Sequence, residues 1–292
     1  MSFTKLPWWI KIILKLVLAL IPIRYEKVRS MLTGRYGAMQ SSKYADRIFN
    51  QFINDFENFS EQNKGVLLEL GPGGSLLSGV MGRAAGFEKC ILVDVGDFAS
   101  KDRSLYLDMV TKLKEEDREL FLSALSKHED VMYAFNKIGI IYLTNGLQSL
   151  REIPDKSVIF SFSNAVLEHI RVGEFNETIK ELYRIHLPES ISSHHIDFKD
   201  HLGGSLNNLR FSKNIWESDF FPNSGFYTNR LRHKEVVNSF IDTGFLPLNC
   251  QMNTWKTLPI SKANMSSYFQ KFNDSDLMIS SSHIVFKKQE AL

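Results

Sequence analysis

Residues 194–201 read His-His-Ile-Asp-Phe-Lys-Asp-His, so three histidines, two aspartates and a lysine fall within eight positions. They continue a run that begins at Ile191, and as a strand that run places His195 and Asp197 on one face and His194 on the other. Imidazole titrates close to neutrality, so a histidine here can take a proton from a hydroxyl nucleophile, particularly when Asp197 or Asp200 fixes its tautomer. His195, Asp197, Asp200 and His201 are therefore the candidate catalytic groups. Two other readings use the same residues. One is a divalent metal on His195, Asp197 and His201, which the ligand types would serve but which is not favoured. The other is a polar loop whose histidines are simply solvated or hydrogen-bonded.

A second chemical signal lies at residues 66–75, Val-Leu-Leu-Glu-Leu-Gly-Pro-Gly-Gly-Ser. Val66 to Leu70 is apolar except for Glu69 and too short for an independent helix, which fits a strand buried in a parallel sheet. Gly71, Gly73 and Gly74 remove Cβ atoms where the chain turns and where a ligand could approach the backbone, and Pro72 stiffens the turn. Ser75 is placed to cap a helix over Leu76 to Ala85. The next apolar run, Cys90 to Val93, ends at Asp94, 25 residues after Glu69, about where nucleotide-binding α/β folds put the acid that holds ribose hydroxyls. The third glycine of the dinucleotide pattern would fall at 76, which is Leu76. Glu69, Gly71, Pro72, Gly73, Gly74 and Asp94 are the candidate cofactor residues.

These signals need a scaffold, and the rest of the chain supplies one. Ile48, Phe49, Phe52, Ile53 and Phe56 recur at helical spacing ahead of the first strand. Ile140 to Leu143 reads as a third strand, Ser157 to Phe162 as a fourth, Phe175 to Ile185 as a helix and Ile191 to Ile196 as a fifth strand after a turn at 186–190. Glu235 to Ile241 is a helix ending at Gly244, and Phe245 to Trp255 with Ser281 to Phe286 form an antiparallel hairpin. Alternating strands and helices of this kind make a doubly wound parallel sheet. The 292 residues are 43% hydrophobic and 23% charged, ordinary for a globular chain. Cys90 and Cys250 are the only cysteines, so no disulfide framework is implied.

The formal charge of +2 conceals a division. Residues 1–50 carry nine Lys and Arg against Glu26 and Asp46, whereas the rest carries more acid than base. Leu6 to Ile23 is apolar apart from Lys11 and Lys15, which share one helical face; Trp8 and Trp9 stand at one end and Arg24, Lys27 and Arg29 beyond the other. Leu16 to Ile23, the part free of lysine, is too short to span a hydrocarbon core of about 30 Å. The segment suits an interfacial helix on an anionic membrane through residues 6–29, with docking on the protein's own surface as the alternative. An acidic body whose basic block sits on an apolar helix argues against nucleic acid as a partner.

Glu69-Leu70-Gly71-Pro72-Gly73 resembles motif I of the class I S-adenosylmethionine (SAM) dependent methyltransferases. Ser163-Asn164-Ala165-Val166-Leu167-Glu168-His169-Ile170 resembles the segment after their fourth strand, and the terminal hairpin resembles their 6-7 hairpin. The resemblance covers roughly residues 60–290. It implies a Rossmann-like seven-stranded sheet with an antiparallel 6-7 hairpin, here with an N-terminal helical arm over 1–43 and the methyltransferase domain over 44–292. It also implies SAM as cofactor, with Ser163, Asn164 and His169 bordering it and Asn145 standing where the family often has an acid near adenine. The family builds its acceptor pocket after strand five. That points to an insertion at about 197–232, where Asn208, Arg210, Trp216, Tyr227 and Arg230 offer amide, aromatic and guanidinium groups for a sugar.

The stretch from Ser163 to Arg232 is similar to bacterial methyltransferases of surface-glycan clusters of the O-antigen and capsule type. It implies O-methylation of a sugar, nucleotide-sugar or lipid-linked glycan hydroxyl in polysaccharide biosynthesis. The implied location is cytoplasmic, peripheral on the inner face of the cell membrane if the arm engages lipid. The alternatives are a SAM-binding non-catalytic subunit of a glycan assembly complex, a methyltransferase acting on a lipid or other small molecule, or a related nucleotide-using enzyme such as an aminopropyl transferase. Oligomeric state is not legible in the sequence.

Overall fold

The structure is a computed structural model that describes residues 7–13, 40–218, 221 and 225–289. Seven strands, β1 (Val66–Leu70), β2 (Lys89–Val93), β3 (Ile140–Leu143), β4 (Val158–Asn164), β5 (His186–Asp197), β6 (Phe245–Thr254) and β7 (Ile279–Lys288), form one sheet in the order β3-β2-β1-β4-β5-β7-β6. The pairings among β3, β2, β1, β4 and β5 are parallel, and β7 runs antiparallel between β5 and β6. The order reverses between β1 and β4, and the antiparallel 6-7 hairpin closes the sheet. This is the class I methyltransferase architecture that the glycine motif and the terminal hairpin imply.

Helix α1 (Ser42–Phe59) buries Ile48, Phe49, Phe52, Ile53 and Phe56, the apolar stripe that its 3–4 spacing predicts. It lies on one face of the sheet, where Phe52 stacks on Phe162 with ring centroids 4.8 Å apart and Phe56 meets Phe160 at 5.3 Å. Helix α2 (Leu77–Ala84) follows the glycine loop on the same side. Its N-cap is Leu76 with no side-chain cap bond, so Ser75 does not cap it as expected; Ser75 is 2% exposed and turned inward. Three helices, α3 (Arg103–Lys112), α4 (Glu115–Lys127) and α5 (Val131–Lys137), fill the connection from β2 to β3. On the opposite face lie α6 (Leu147–Glu152), α7 (Val172–Ile185) and α9 (His233–Thr243). The last ends at Gly244, whose φ of 110° only glycine adopts without strain.

Between β5 and α9 the chain forms a small cap. It contains α8 (Lys213–Trp216) and a cluster of Leu202, Trp216, Phe221, Phe226 and Tyr227. Residues 8–13 are helical and join it: Ile12 is buried in that cluster, Trp8 meets Phe211 edge-on at 6.2 Å, and the Arg210 guanidinium lies 5.2 Å from the Trp8 ring. Trp9 and Ile13 face outward, each about half exposed. The rest of the basic arm, with Lys15, Arg24, Lys27, Arg29 and the turn at 34–37, lies outside the described residues. Among the described residues no helix is long and apolar enough to cross a membrane.

Strand β5 starts at His186, earlier than the turn read at 186–190, and it absorbs the extra length in a register shift against β4 with Glu189 at φ +64°. This early segment completes a fully buried polar ladder. Ser161 Oγ lies 2.7 Å from Ser192 Oγ and 2.8 Å from His186 Nε2; His186 Nδ1 meets Ser190 Oγ at 2.7 Å; and His194 bridges Ser163 Oγ at 2.8 Å and Ser192 Oγ at 2.7 Å. His194 also packs on Phe240 of α9. Desolvation pushes both His186 and His194 down to about 3, and neighbouring cationic or imidazole groups add to the shift. Both rings are therefore neutral in the folded protein.

The unfolded chain takes up these two protons as pH falls below about 6.5, whereas the native state resists until about 3. Stability is therefore fully present above pH 6.5 and falls through that window by roughly one kcal/mol per pH unit for each histidine. Urea unfolding at intervals from pH 7 to pH 4 measures the slope. The variant His194→Gln, which keeps hydrogen-bonding capacity without a titrating ring, is expected to show about half the histidine contribution.

Candidate functional site

The glycine loop is shaped by its own backbone demands. Gly71 sits at φ +68°, donates its N–H to Val93 O at 2.8 Å, and would place a Cβ 2.4 Å from Val166 Cγ2. Gly73 sits at φ +65°, but a Cβ there meets nothing within 4 Å, so its face is open to a ligand. Its N–H donates to Asp94 Oδ2 at 3.0 Å, while Asp94 Oδ1 accepts from Val95 N at 2.7 Å. The carboxylate at the end of β2 thus fixes the loop at the end of β1. Gly74 O accepts from Ser100 N at 3.0 Å, and Pro72 is buried. Beyond Asp94, the Tyr142 hydroxyl accepts from Phe98 N and donates to Gly96 O, which holds the following loop.

Glu69 is enclosed between β1 and α2. It is 3% exposed and accepts the Ser78 hydroxyl of α2; burial, with the Asp94 charge adding to it, pushes its carboxyl up to about 8 against the opposing Ser78 bond. Its role is to join β1 to α2. Asn145 is exposed after β3; its backbone N–H donates to Ser149 Oγ at 3.0 Å and its carbonyl accepts from Gln148 N at 3.1 Å.

The register of four strands then sets a transverse row of polar side chains on the α1 face. Asn164 of β4 pairs with His195 of β5, His195 with His283 of β7, and His283 with Gln251 of β6. The row floors a cleft of about 670 Å³. Tyr44, Arg47 and Gln51 of α1 form one wall, and His169, Asp197 and His201 form another. Ala165, at φ +56°, turns the chain out of β4 and donates its N–H to His195 O at 2.8 Å. His169 Nδ1 lies 3.0 Å from Tyr227 O, and its ring sits 4.8 Å from that of His201. Glu168, beside it in sequence, is buried and accepts from Asp197 N at 3.3 Å, so His169 is the one of that pair that faces the cleft.

Of the residues expected to be catalytic, His195, Asp197 and His201 are brought together here. Burial, with His283 nearby, holds the His195 ring below its usual titration range while Asp197 opposes, so the ring is neutral at pH 7. Asp200 is elsewhere. It is 2% exposed; its Oδ1 accepts from the backbone N–H groups of Leu202, Gly204 and Ser205, and its Oδ2 accepts from Asn207 N and Nδ2. With five donors it organises the loop and touches no part of the cleft. No three His, Cys, Asp or Glu side chains among the described residues are spaced to hold a metal ion.

Ser163 is also displaced from its expected place, because strand alternation turns it into the buried ladder with His194. The five residues read as a sugar-binding surface instead build the cap's interior. Trp216 is fully buried and donates Nε1–H to Thr228 O at 2.7 Å; Asn208 Nδ2 donates to Thr228 Oγ1; the Tyr227 hydroxyl donates to Glu217. Arg230 lies between the Trp216 and Phe269 rings at 5.2 and 5.3 Å and donates to Asn208 O and Phe211 O, with burial pulling its guanidinium down to about 10. Arg210 holds Asn207 Oδ1 and covers Trp8. Most of these polar heads are engaged inside the cap, and the atoms that are not, Asn208 Oδ1 and Arg230 Nε, are buried within it.

His283, Gln51, Arg47 and Gln251 were not singled out from the sequence. In residues 44–59 and in the final strands the apolar pattern is the dominant signal, and it masks the polar positions between the apolar ones. Alternation along β7 was the available signal.

No family profile matches the chain, and no curated protein matches it. Among solved structures the chain is similar to a Methanosarcina mazei SAM-dependent methyltransferase at 15% identity, covering 81% of this chain and 97% of that one with a TM-score of 0.44. It is similar to a chain of the Haloferax volcanii complex between the Trm112 methyltransferase activator and a protein described as a methyltransferase, at 12% identity, 90% and 97% coverage and a TM-score of 0.45. A third similarity is to Haemonchus contortus phosphoethanolamine N-methyltransferase 2 in complex with SAM, at 14% identity and a TM-score of 0.45, where this chain spans 53% of that one and 82% of itself is covered. The fold stands on strand order and register.

Asp200→Ala orphans five donors in a buried loop and is expected to lower unfolding free energy by about 3 kcal/mol. His195→Ala, at the cleft floor, is expected to change it by about 1 kcal/mol or less. Thermal unfolding of the two variants side by side checks the contrast.

Proposed function

We propose that this chain is a SAM-dependent methyltransferase that delivers the methyl group to a hydroxyl of a sugar or glycan bound in the histidine-lined cleft. The observation that carries it is the row from Asn164 to Gln251, which begins where β4 emerges beside the glycine loop and runs into the cleft. Open α/β sheets bind ligands at the carboxyl ends of strands where the order reverses, and here that is between β1 and β4. The open side of Gly73 and the carboxylate of Asp94 fit a SAM methionine and ribose. When bound, SAM supplies a methyl group already activated by a positive sulfur.

The chain's own task is to hold the acceptor oxygen in line and to receive its proton. The cleft offers the neutral imidazole of His195, the imidazoles of its neighbours, and amides from Asn164, Gln51, Gln251 and Asn253. Such a set pairs with hydroxyls at little desolvation cost and has no cluster of fixed charge, which supports a polyhydroxylated acceptor, free, nucleotide-linked or lipid-linked. His169 Nδ1 is tied to the cap backbone at Tyr227 O, which sets the orientation of its ring in the cleft wall. The outward Trp9 and Ile13 beside the basic arm support a peripheral contact with an anionic membrane, which would bring lipid-linked acceptors to the cleft.

Isothermal titration with SAM followed by a methylation screen over nucleotide sugars and lipid-linked glycans tests this function. Binding and turnover are expected for the wild type, and absence of SAM binding overturns the reading. His195→Ala is expected to keep SAM affinity within about twofold while turnover falls about 100-fold or more. In vesicle flotation the full chain is expected to rise with anionic liposomes and not with zwitterionic ones; equal behaviour on both overturns the membrane contact.

A further inference from the structure

His283 stands apart from the other cleft imidazoles because a buried carboxylate holds its ring. Its Nε2 lies 2.6 Å from Asp55 Oδ2, and the same oxygen accepts the Ser193 hydroxyl at 2.6 Å. The side chains of His283 and Asp55 are 8% and 14% exposed, so the pair is largely removed from water. A carboxylate oxygen accepts, so Nε2 is the donor of that bond, and the Gln51 amide N–H that faces Nδ1 makes Nδ1 an acceptor. Nδ1 points to the α1 wall, where the Gln51 amide Nε2 stands 3.0 Å away. Gln51 and His283 both line the cleft, so a cleft-bound donor that takes the place of Gln51 meets that nitrogen. The Phe52 ring, 5.3 Å from the imidazole, limits its rotation. His195, across the β5–β7 pairing, differs: its Nδ1 is buried with no hydrogen-bond partner among the described residues.

A base whose far nitrogen is fixed by a carboxylate is the arrangement that makes imidazole an effective proton acceptor, because the carboxylate both sets the tautomer and stabilises the cation that forms. We propose that His283, oriented by Asp55, is the general base of this site, with Gln51 occupying the place that the acceptor hydroxyl takes when bound. The inference rests on the methyl-transfer reading above. As the acceptor oxygen forms its bond to the methyl carbon, the C–S electron pair returns to sulfur and the hydroxyl proton passes to His283 Nδ1. The resulting imidazolium is balanced by Asp55 and later loses the proton to water. His195, across the ladder, is a positioning partner for the same oxygen.

The test uses the full chain and three variants. Nitrogen-15 NMR of the imidazoles reads the tautomer. The wild-type ring is expected to carry its proton on Nε2, and Asp55→Asn, whose amide can donate to Nε2, is expected to move it to Nδ1. Diethyl pyrocarbonate with peptide mapping reads access to the cleft-facing nitrogen. His283 is expected to be labelled, about tenfold faster in Gln51→Ala and about tenfold slower in Asp55→Asn.

With a hydroxyl acceptor from the screen, His283→Gln and Asp55→Asn are expected to lower kcat about 100-fold or more while KM and SAM affinity stay within about threefold. A pair that merely bolts α1 to the sheet would lower the melting temperature and leave kcat and the tautomer unmoved. The proposal is overturned if the wild-type proton sits on Nδ1, if His283 resists labelling in Gln51→Ala, or if either variant keeps kcat within threefold. A wild-type chain that binds no SAM overturns the methyl-transfer reading instead, and the tautomer and labelling results remain interpretable without it.

Discussion

The site depends on the antiparallel insertion of β7 between β5 and β6. Because side chains alternate strictly along a strand, the pairing of His195 with His283 puts both imidazoles on the α1 face, and the neighbouring pairs add Asn164 and Gln251 to the same row. A slip of one residue in β7 would replace His283 by Ser282 or Ile284 and turn its ring towards α9. Register is held by what lies on the other face, where Phe286 stacks on Phe240 with centroids 4.2 Å apart. An apolar lock on one side of the sheet thus fixes a polar row on the other.

Much of this was legible in the sequence. The apolar runs located the strands, the glycines with Asp94 located the loop, and the period of two placed His195 with Asp197 against His194. What failed did so for identifiable reasons. Asp200 carries the residue type of a catalytic acid, but its side chain is consumed by backbone N–H groups that a loop of Gly, Ser and Asn leaves unpaired. Ser163 and His194 belong to a buried ladder whose far rungs, His186 and Ser190, come from a start of β5 that no local pattern announces.

The cap teaches a related lesson. A dense mixture of Trp, Phe, Asn and Arg reads equally as a binding surface or as a small core, and the outcome depends on whether each polar head finds a partner inside. Here the terminal nitrogens of Arg230 and Arg232 do: Arg232 is 1% exposed and donates to Phe198 O, Leu277 O and Ile279 O, tying the cap's exit to the end of β5 and the start of β7. Guanidinium donors spread in a plane can satisfy several carbonyls at once, which lets arginine serve as interior scaffolding. The amide and imidazole groups that remain available are those of the sheet and α1.

The Asp200 loop carries a last consequence, which is thermodynamic. Ordering a flexible backbone costs about 1–2 kcal/mol per residue, and a wall that ordered only around its ligand would subtract that sum from affinity. By gathering the backbone donors of residues 202, 204, 205 and 207 on one buried carboxylate, the chain orders this segment during folding, next to His201. The wall is in place before any acceptor arrives. On the proposed function, an acceptor bound there would meet a small entropic penalty, and selectivity would rest on fit to a fixed shape.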